Sequence, residues 1–275
     1  MSFTIDSKVK LNNGVEIPLL GLGVYQSEAG EETQSATRYA LEAGYRHIDT
    51  ARLYSNEEDV GKVIRESSIP RKDIFVTTKL WNSDHGYDST LKAFNGSLER
   101  LNIDYIDLYL IHWPVPGVRN DSWKALEKIY SEGKCKAIGV SNYTVRHLRE
   151  LLEICEVVPA VNQVEFSPYL YQKDLLEYCQ SNKIQLEAYS PLTQGKKLKD
   201  RTLMNIALKY NKSPAQVLIR WNLQHEVVVI PKSVRKERII DNANIYDFSL
   251  SEDDMKQLDS LNEDFRTCWN PSDQP

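Results

Sequence analysis

Polar and ionisable side chains recur in this chain at the C-terminal ends of its short apolar runs. In order, these ends carry Asp49 and Thr50, Lys79, His112, Ser141 and Asn142, Gln163 and Glu165, Tyr189 and Ser190, and Lys232 and Ser233. Such groups hold or move protons and hydrogen-bond amides and phosphates. One polar residue at a strand end commonly just caps a helix or satisfies a loop. Seven ends out of eight ask for another reason, because an ionisable group set against apolar strands costs free energy unless it is paired or used. A second signal is electrostatic. Lys232, Arg235, Lys236 and Arg238 crowd the start of an amphipathic segment, where the helix macrodipole disfavours cations. A bound dianion would resolve the conflict, held by helix N–H groups and Arg238, with Ser233 as the cap.

Those ends belong to elements that must bring them together. Apolar strand-like runs lie at 19–23, 46–50, 74–79, 106–112, 136–141, 160–165, 184–190 and 227–233. Most are rich in Val, Ile and Leu without strict alternation, as parallel strands covered on both faces should be. Amphipathic helix patterns fall at 31–43, 56–67, 88–101, 122–132, 144–154, 172–182, 213–224 and 235–245, with a further one at 251–262. Ser213 before Pro214, and Ser251 before an acidic first turn, read as helix starts. Residues 9–18, with Asn13-Gly14 between two short segments, predict a β-hairpin. Eight strand–helix units predict an α/β fold: a single (β/α)8 TIM barrel over 1–275, with an N-terminal hairpin and an extra C-terminal helix and tail. A doubly wound sheet is the competing arrangement. In a barrel the strand ends share one mouth, where active sites of this fold sit.

Composition narrows the function classes. The 275 residues are 41% hydrophobic and 27% charged, with a net charge of −5. Without an overall basic excess, nucleic acid is not an expected partner. No run approaches the ~20 apolar residues that span a bilayer, and the first residues lack a signal-peptide pattern. A cytoplasmic protein without a membrane partner is therefore expected. Cys135, Cys155, Cys179 and Cys268 lie far apart with no C-x-x-C, which predicts reduced thiols and no metal site. A monomer is expected, because closing a barrel leaves no sheet edge.

GLGVY (21–25), GYRHIDTARLYSNEEDVG (44–61), TTKLW (77–81), DYIDLYLIHWP (104–114), KAIGVSNY (136–143), VNQVEFSP (161–168), AYSPL (188–192) and IPKSVRKERIIDN (230–242) together resemble the aldo-keto reductase superfamily, in its order and spacing. The likeness covers almost the whole chain. It is greatest to the short reductases of bacteria and protists, which include glyoxal and methylglyoxal reductases, diketogluconate reductases and prostaglandin F synthases. It implies a TIM barrel that reduces carbonyls with NADPH, or oxidises alcohols with NADP+ in reverse. The sequence departs from the common pattern at Tyr25 and Tyr189, where Trp is frequent, at Tyr143 for Phe, and at Ser167 for His.

The resemblance makes Tyr54 the general acid that protonates the carbonyl oxygen. A free tyrosine, with pKa ~10, holds its proton too tightly for neutral pH, and a nearby ammonium favours the phenolate. Lys79 is expected in that place, held charged by Asp49, with His112 as a neutral imidazole orienting the substrate oxygen. Family analogy places Gly23, Ser141, Asn142, Gln163, Tyr189, Ser190, Leu192 and Gln194 on the cofactor. Ser141, Asn142 and Gln163 would bond the carboxamide, Tyr189 would stack under the ring, and the loop through Gln194 would cross the pyrophosphate. Lys232, Ser233 and Arg238 would take the 2′-phosphate, and Asn242 the adenine. A Rossmann site is not expected, since GLGVYQ has Gln26 where the third Gly of G-x-G-x-x-G belongs. Tyr25, Trp81, His112, Trp113 and Trp269 would line an aromatic substrate pocket. The short stretch from Pro114 to Asp121 suggests a broad specificity for small carbonyls. Other readings stay open: a prostaglandin F synthase-like reductase, a cofactor-binding crystallin or accessory protein with little turnover, and a glycosidase using Asp49 and Glu165.

Overall fold

The computed structural model describes residues 3–274. A short antiparallel hairpin, β1 (Lys8–Lys10) and β2 (Glu16–Pro18), turns at Asn13-Gly14, as the sequence predicts. Eight parallel strands follow: β3 (Leu22–Gly23), β4 (His47–Asp49), β5 (Phe75–Leu80), β6 (Ile106–Ile111), β7 (Cys135–Ser141), β8 (Val161–Glu165), β9 (Gln185–Tyr189) and β10 (Val228–Val229). They pair in chain order from β3 to β10. Every residue of β5, β6 and β8 is buried, which explains why these segments lack a polar face.

The terminal strands are shorter than the apolar runs that predict them, but hydrogen bonding continues beyond them. Leu20 bridges Val229, Gly21 N–H donates to the Val229 carbonyl at 2.9 Å, and Val229 N–H donates to that of Leu19 at 2.9 Å. These bonds join the two ends of the sheet.

Helices connect the strands: α1 (Glu31–Glu42), α2 (Glu57–Glu66), α3 (Tyr87–Leu101), α4 (Arg119–Ser131), α5 (Val145–Leu152), α6 (Lys173–Ser181), α7 (Arg201–Lys209), α8 (Pro214–Gln224), α9 (Lys236–Ala243) and, last, α10 (Glu252–Asp259). Two begin as their sequences indicate. Ser213 accepts from Gln216 N–H at 3.2 Å while Gln216 accepts from Ser213 N–H at 2.8 Å, and the Ser251 hydroxyl accepts from Asp254 N–H at 3.2 Å. The sequence pattern does not indicate α7. Its Leu203, Ile206 and Ala207 are buried, but Met204 and Leu208 stay exposed and blur the apolar stripe.

Glycine at one helix contact is a packing requirement. A Cβ at Gly61 on α2 would lie 1.9 Å from the Leu101 carbonyl oxygen at the end of α3. Backbone cannot yield as a side-chain tip can, so Gly61→Ala is expected to cost about 2 kcal/mol and lower the thermal midpoint by several degrees. At Gly96 the same atom would meet only the guanidinium end of Arg100, at 3.1 Å. Gly96→Ala, inside α3, should leave the midpoint unchanged or raise it. Equal midpoints for the two variants in a thermal melt would refute the packing argument.

Candidate active site

Alternate residues of a strand share a face, and here that alternation builds a polar interior. His47 and Asp49 on β4, Thr77 and Lys79 on β5, Gln163 on β8 and Glu187 on β9 meet inside the sheet. Lys79 Nζ donates to Asp49 Oδ1 at 2.6 Å and to the Thr50 carbonyl at 2.9 Å. Gln163 Nε2 donates to Asp49 Oδ2 at 2.8 Å and to Glu187 Oε2 at 3.0 Å. His47 Nε2 lies 3.0 Å from the Thr77 hydroxyl. Lys79 has no exposed surface, so its charge depends on Asp49.

Tyr54 follows β4 on the short helical turn Arg52–Tyr54. Its ring is partly exposed, while its hydroxyl lies deep, accepting from Lys79 Nζ at 3.5 Å. Here the structure corrects an expectation. The Tyr54 pKa is not depressed: burial raises it well above 10, reinforced by Asp49, Tyr189, Tyr25 and Cys268. The physical reason is burial of the hydroxyl, and the lysine that would oppose it is committed to Asp49, nearly an ångström closer than to the phenol. His112, just past β6, is pushed well below 6.5 by burial and by Lys79, which favours the neutral imidazole. Its ring meets Tyr54 edge-on at 5.7 Å and Trp81 at 5.2 Å.

These residues open on a cavity of about 480 Å³ at the C-terminal ends of the strands. Gly23, Tyr25, Asp49, Tyr54, Trp81, His112, Trp113, Asn142, Gln163, Tyr189, Ser190, Leu192, Gln194, Lys232 and Trp269 all line it. Lys79 sits behind Asp49. Ser141 is buried beneath the wall, donating to the Gln163 carbonyl at 2.8 Å. The wall is cross-linked: Asn142 Nδ2 donates to the His112 carbonyl at 2.9 Å, and the Tyr189 hydroxyl donates to Asn142 Oδ1 at 2.8 Å. Ser233, Arg238 and Asn242 lie outside the cavity lining. Sequence reasoning missed Gln26, Leu53, Pro191 and Ile230, all close in sequence to predicted residues, and the tail residues Arg266, Thr267 and Cys268, which carry no periodic signal.

The basic segment also differs in detail. α9 begins at Lys236 with Arg235 in the cap position, so Ser233 does not cap it. Its hydroxyl instead accepts from Arg235 N–H at 3.2 Å, within the turn ahead of the helix. Lys232 donates to the Gln26 carbonyl at 3.1 Å, and Lys236 pairs with Glu42 at 3.3 Å. Arg235 and Arg238 are exposed and form no ion pair among the described residues. Asn242 is buried one turn beyond Arg238 on α9.

A glycosidase pair is not available. Asp49 is bound to Lys79, and Glu165 accepts from Thr267 N–H at 2.7 Å, from Cys268 N–H at 3.2 Å and from the Thr267 hydroxyl. Among the described residues no cluster of His, Cys, Asp or Glu could hold a metal ion, and no helix is long and apolar enough to cross a membrane.

Eight parallel strands with a polar cleft at their C-terminal ends have the build of an α/β enzyme whose site lies at the strand ends. The profile of the "Aldo/keto reductase family" matches residues 19–263, and the chain belongs to that family. It is 54% identical over 273 residues to the glyoxal reductase of Bacillus subtilis, covering 99% of each chain. It is also 54% identical over 266 residues to the 9,11-endoperoxide prostaglandin H2 reductase of Trypanosoma cruzi, covering 96% of this chain and 94% of that one. Among solved structures it resembles a Bombyx mori aldo-keto reductase in complex with NADP, with TM-score 0.90 and 35% identity over 96% of this chain and 95% of that one.

Beneath the cleft, burial pushes the Glu187 carboxyl up to about 8, with Asp49 adding to the rise and Gln163 and Lys79 opposing it. Burial, then Lys79, pushes His47 down to about 3. The two face each other at 3.6 Å, and through most of the pH range both are neutral. Folding therefore keeps a proton on Glu187 that the unfolded chain loses above its ordinary 4.5, and this contribution to stability falls as pH rises towards 8. His47 acts oppositely, losing stability as pH drops from 6.5 towards 3. Between pH 6.5 and 8 only Glu187 of the two has a slope. Glu187→Gln should flatten the decline of urea stability across that interval, and an unchanged slope would contradict the assignment.

Proposed function

We propose that this protein reduces aldehydes and ketones to alcohols with NADPH as hydride donor, over a broad range of substrates. The observation that carries the reading is the convergence of Asp49, Lys79, Tyr54 and His112 at the floor of one cavity. NADPH, when bound, supplies the hydride. Tyr54, whose raised pKa keeps its hydroxyl protonated, gives its proton to the carbonyl oxygen. The charge left on the phenolate faces Lys79, 3.5 Å away, and Asp49 keeps that lysine in place. Neutral His112 hydrogen-bonds the substrate oxygen and orients it towards Tyr54.

The residues present fit the cofactor. Arg235 and Arg238 stand without carboxylate partners among the described residues at the start of α9, a position that favours an anion. In this reading Lys232, Ser233 and Arg238 hold the 2′-phosphate and Asn242 the adenine. Ser190, Leu192 and Gln194 border the pyrophosphate. Ser141, Asn142 and Gln163 fix the carboxamide, with Gly23 and Tyr189 against the nicotinamide. Tyr25, Trp81, Trp113 and Trp269 form the substrate side, and α4 starts at Arg119, leaving only a short segment above the mouth. Relatives named for a small dicarbonyl and for a bulky endoperoxide fit a permissive pocket. We read the joined sheet ends as a closed (β/α)8 barrel of one domain. It acts as a monomer, for which a solution mass of 31.7 kDa is the check.

Absorbance of NADPH, followed with aldehydes, α-dicarbonyls, quinones and ketones, tests the proposal. Oxidation with several substrates supports it, and cofactor binding without oxidation points to the accessory-protein alternative. Tyr54→Phe should lower turnover by roughly 10²–10⁴ while leaving the NADPH Kd unchanged. Full activity in that variant would remove Tyr54 from its role. NADPH should bind at least about tenfold more tightly than NADH, and Arg238→Ala should erase most of that difference by weakening NADPH alone. Equal affinities of the unmodified protein for the two cofactors would refute the phosphate site.

A further inference from the structure

Glu165 ends β8 at the mouth of the cavity, is 3% exposed, and takes no part in the proposed chemistry. It forms no ion pair among the described residues. Its carboxylate instead accepts from three donors of the C-terminal tail. Oε1 takes Thr267 N–H at 2.7 Å and the Thr267 hydroxyl, and Oε2 takes Cys268 N–H at 3.2 Å. Hydrogen bonds to an ionised acceptor are about twice as strong as neutral ones, and two of these donors are backbone groups. Behind the carboxylate, the Glu165 carbonyl accepts from Gln172 Nε2 at 2.7 Å, so the anchor is itself fixed.

The tail has few other holds near this point. Upstream, the Glu263 and Phe265 N–H groups donate to the Tyr169 carbonyl at 3.2 and 2.9 Å, and Lys197 pairs with Glu263. Downstream, His147 Nε2 meets the Gln274 carbonyl at 3.0 Å. Between these attachments run Arg266 to Trp269, which all line the cavity. Trp269 is 69% exposed, and its ring lies tilted against Trp113 at 5.7 Å. So little burial cannot hold a tryptophan by itself.

We propose that Glu165 is a positioning residue, whose carboxylate fixes residues 266–269 as one side of the substrate pocket and so sets how well bulky carbonyl compounds are held. The inference rests on the reductase reading of the cleft. Small dicarbonyls, which need only the floor at Tyr54 and His112, do not depend on it.

The test compares unmodified protein with Glu165→Ala, Glu165→Gln and Glu165→Asp, using methylglyoxal and a bulky aromatic aldehyde, with NADPH affinity and limited proteolysis of the tail measured alongside. Glu165→Ala is expected to raise KM for the aromatic aldehyde about tenfold and to speed cleavage within 266–269. Its kcat, its KM for methylglyoxal and its NADPH Kd should stay within about twofold. Glu165→Gln should fall between, because its amide nitrogen would face a donor at Cys268 or give up an acceptor. Glu165→Asp should recover part of the loss. If Glu165→Ala does not fold, Thr267→Val, which removes only the hydroxyl arm, should give the same split at about threefold. Equal KM changes for both substrates, or an unchanged cleavage pattern, would overturn the role of Glu165 alone. Absence of turnover in the unmodified protein with every substrate would overturn the reductase reading, and with it the effect on substrates.

Discussion

A fully buried lysine governs the rest of this structure. Lys79 is out of water, and the Asp49 carboxylate, one backbone carbonyl and, farther off, the Tyr54 hydroxyl are placed to offset the loss of its hydration. Asp49 in turn is held from its other oxygen by Gln163, and Gln163 by Glu187. The chain of contacts crosses β4, β5, β8 and β9, so the polar interior fixes the register of strands far apart in sequence. A slip of one residue in β5 would turn Lys79 out of the interior and leave Asp49 without its cation. The geometry around Tyr54 and His112 follows from the same pair, since both rings pack where the lysine has been fixed.

Much of this was legible in the sequence because the candidate site residues are also where the hydrophobic pattern breaks. Asp49, Lys79, His112 and Gln163 stand out as polar residues at the ends of runs that are otherwise apolar, and the structure brings all four together. Glu187 was less visible. It lies inside its run, two residues before Tyr189, and only the folded sheet shows that it faces Gln163. α7 escaped because two of its apolar residues face solvent. In the tail, where Trp269 was expected, Arg266, Thr267 and Cys268 escaped because its hydrogen bonds join residues about a hundred positions apart, which no local spacing can report.

Two expectations failed in instructive ways. Ser233 has the right residue type for a helix cap, but the helix starts three residues later, a shift that propensities cannot resolve. Lys79 was expected to acidify Tyr54, yet burial raises the phenol and the lysine is paired first with Asp49. Proximity in a motif does not fix how a charge is shared. The net charge of −5 conceals a similar local distinction: among the described residues Arg235 and Arg238 form no ion pair beside a helix start, in a chain that is acidic overall.

The bonds that join the ends of the sheet tie the start of the chain to its last quarter. Gly21 meets Val229, Gly23 N–H reaches the Pro231 carbonyl at 3.3 Å, and Lys232 reaches across to Gln26. Contacts of such separation carry the largest loop-closure cost and come late in folding. The cleft has one wall from each side of this seam, so its two halves are synthesised at opposite times. A nascent chain released before residue 229 would have Asp49, Tyr54, Lys79, His112 and much of the wall, but would lack Ile230, Lys232 and the tail residues 266–269 that complete the cleft.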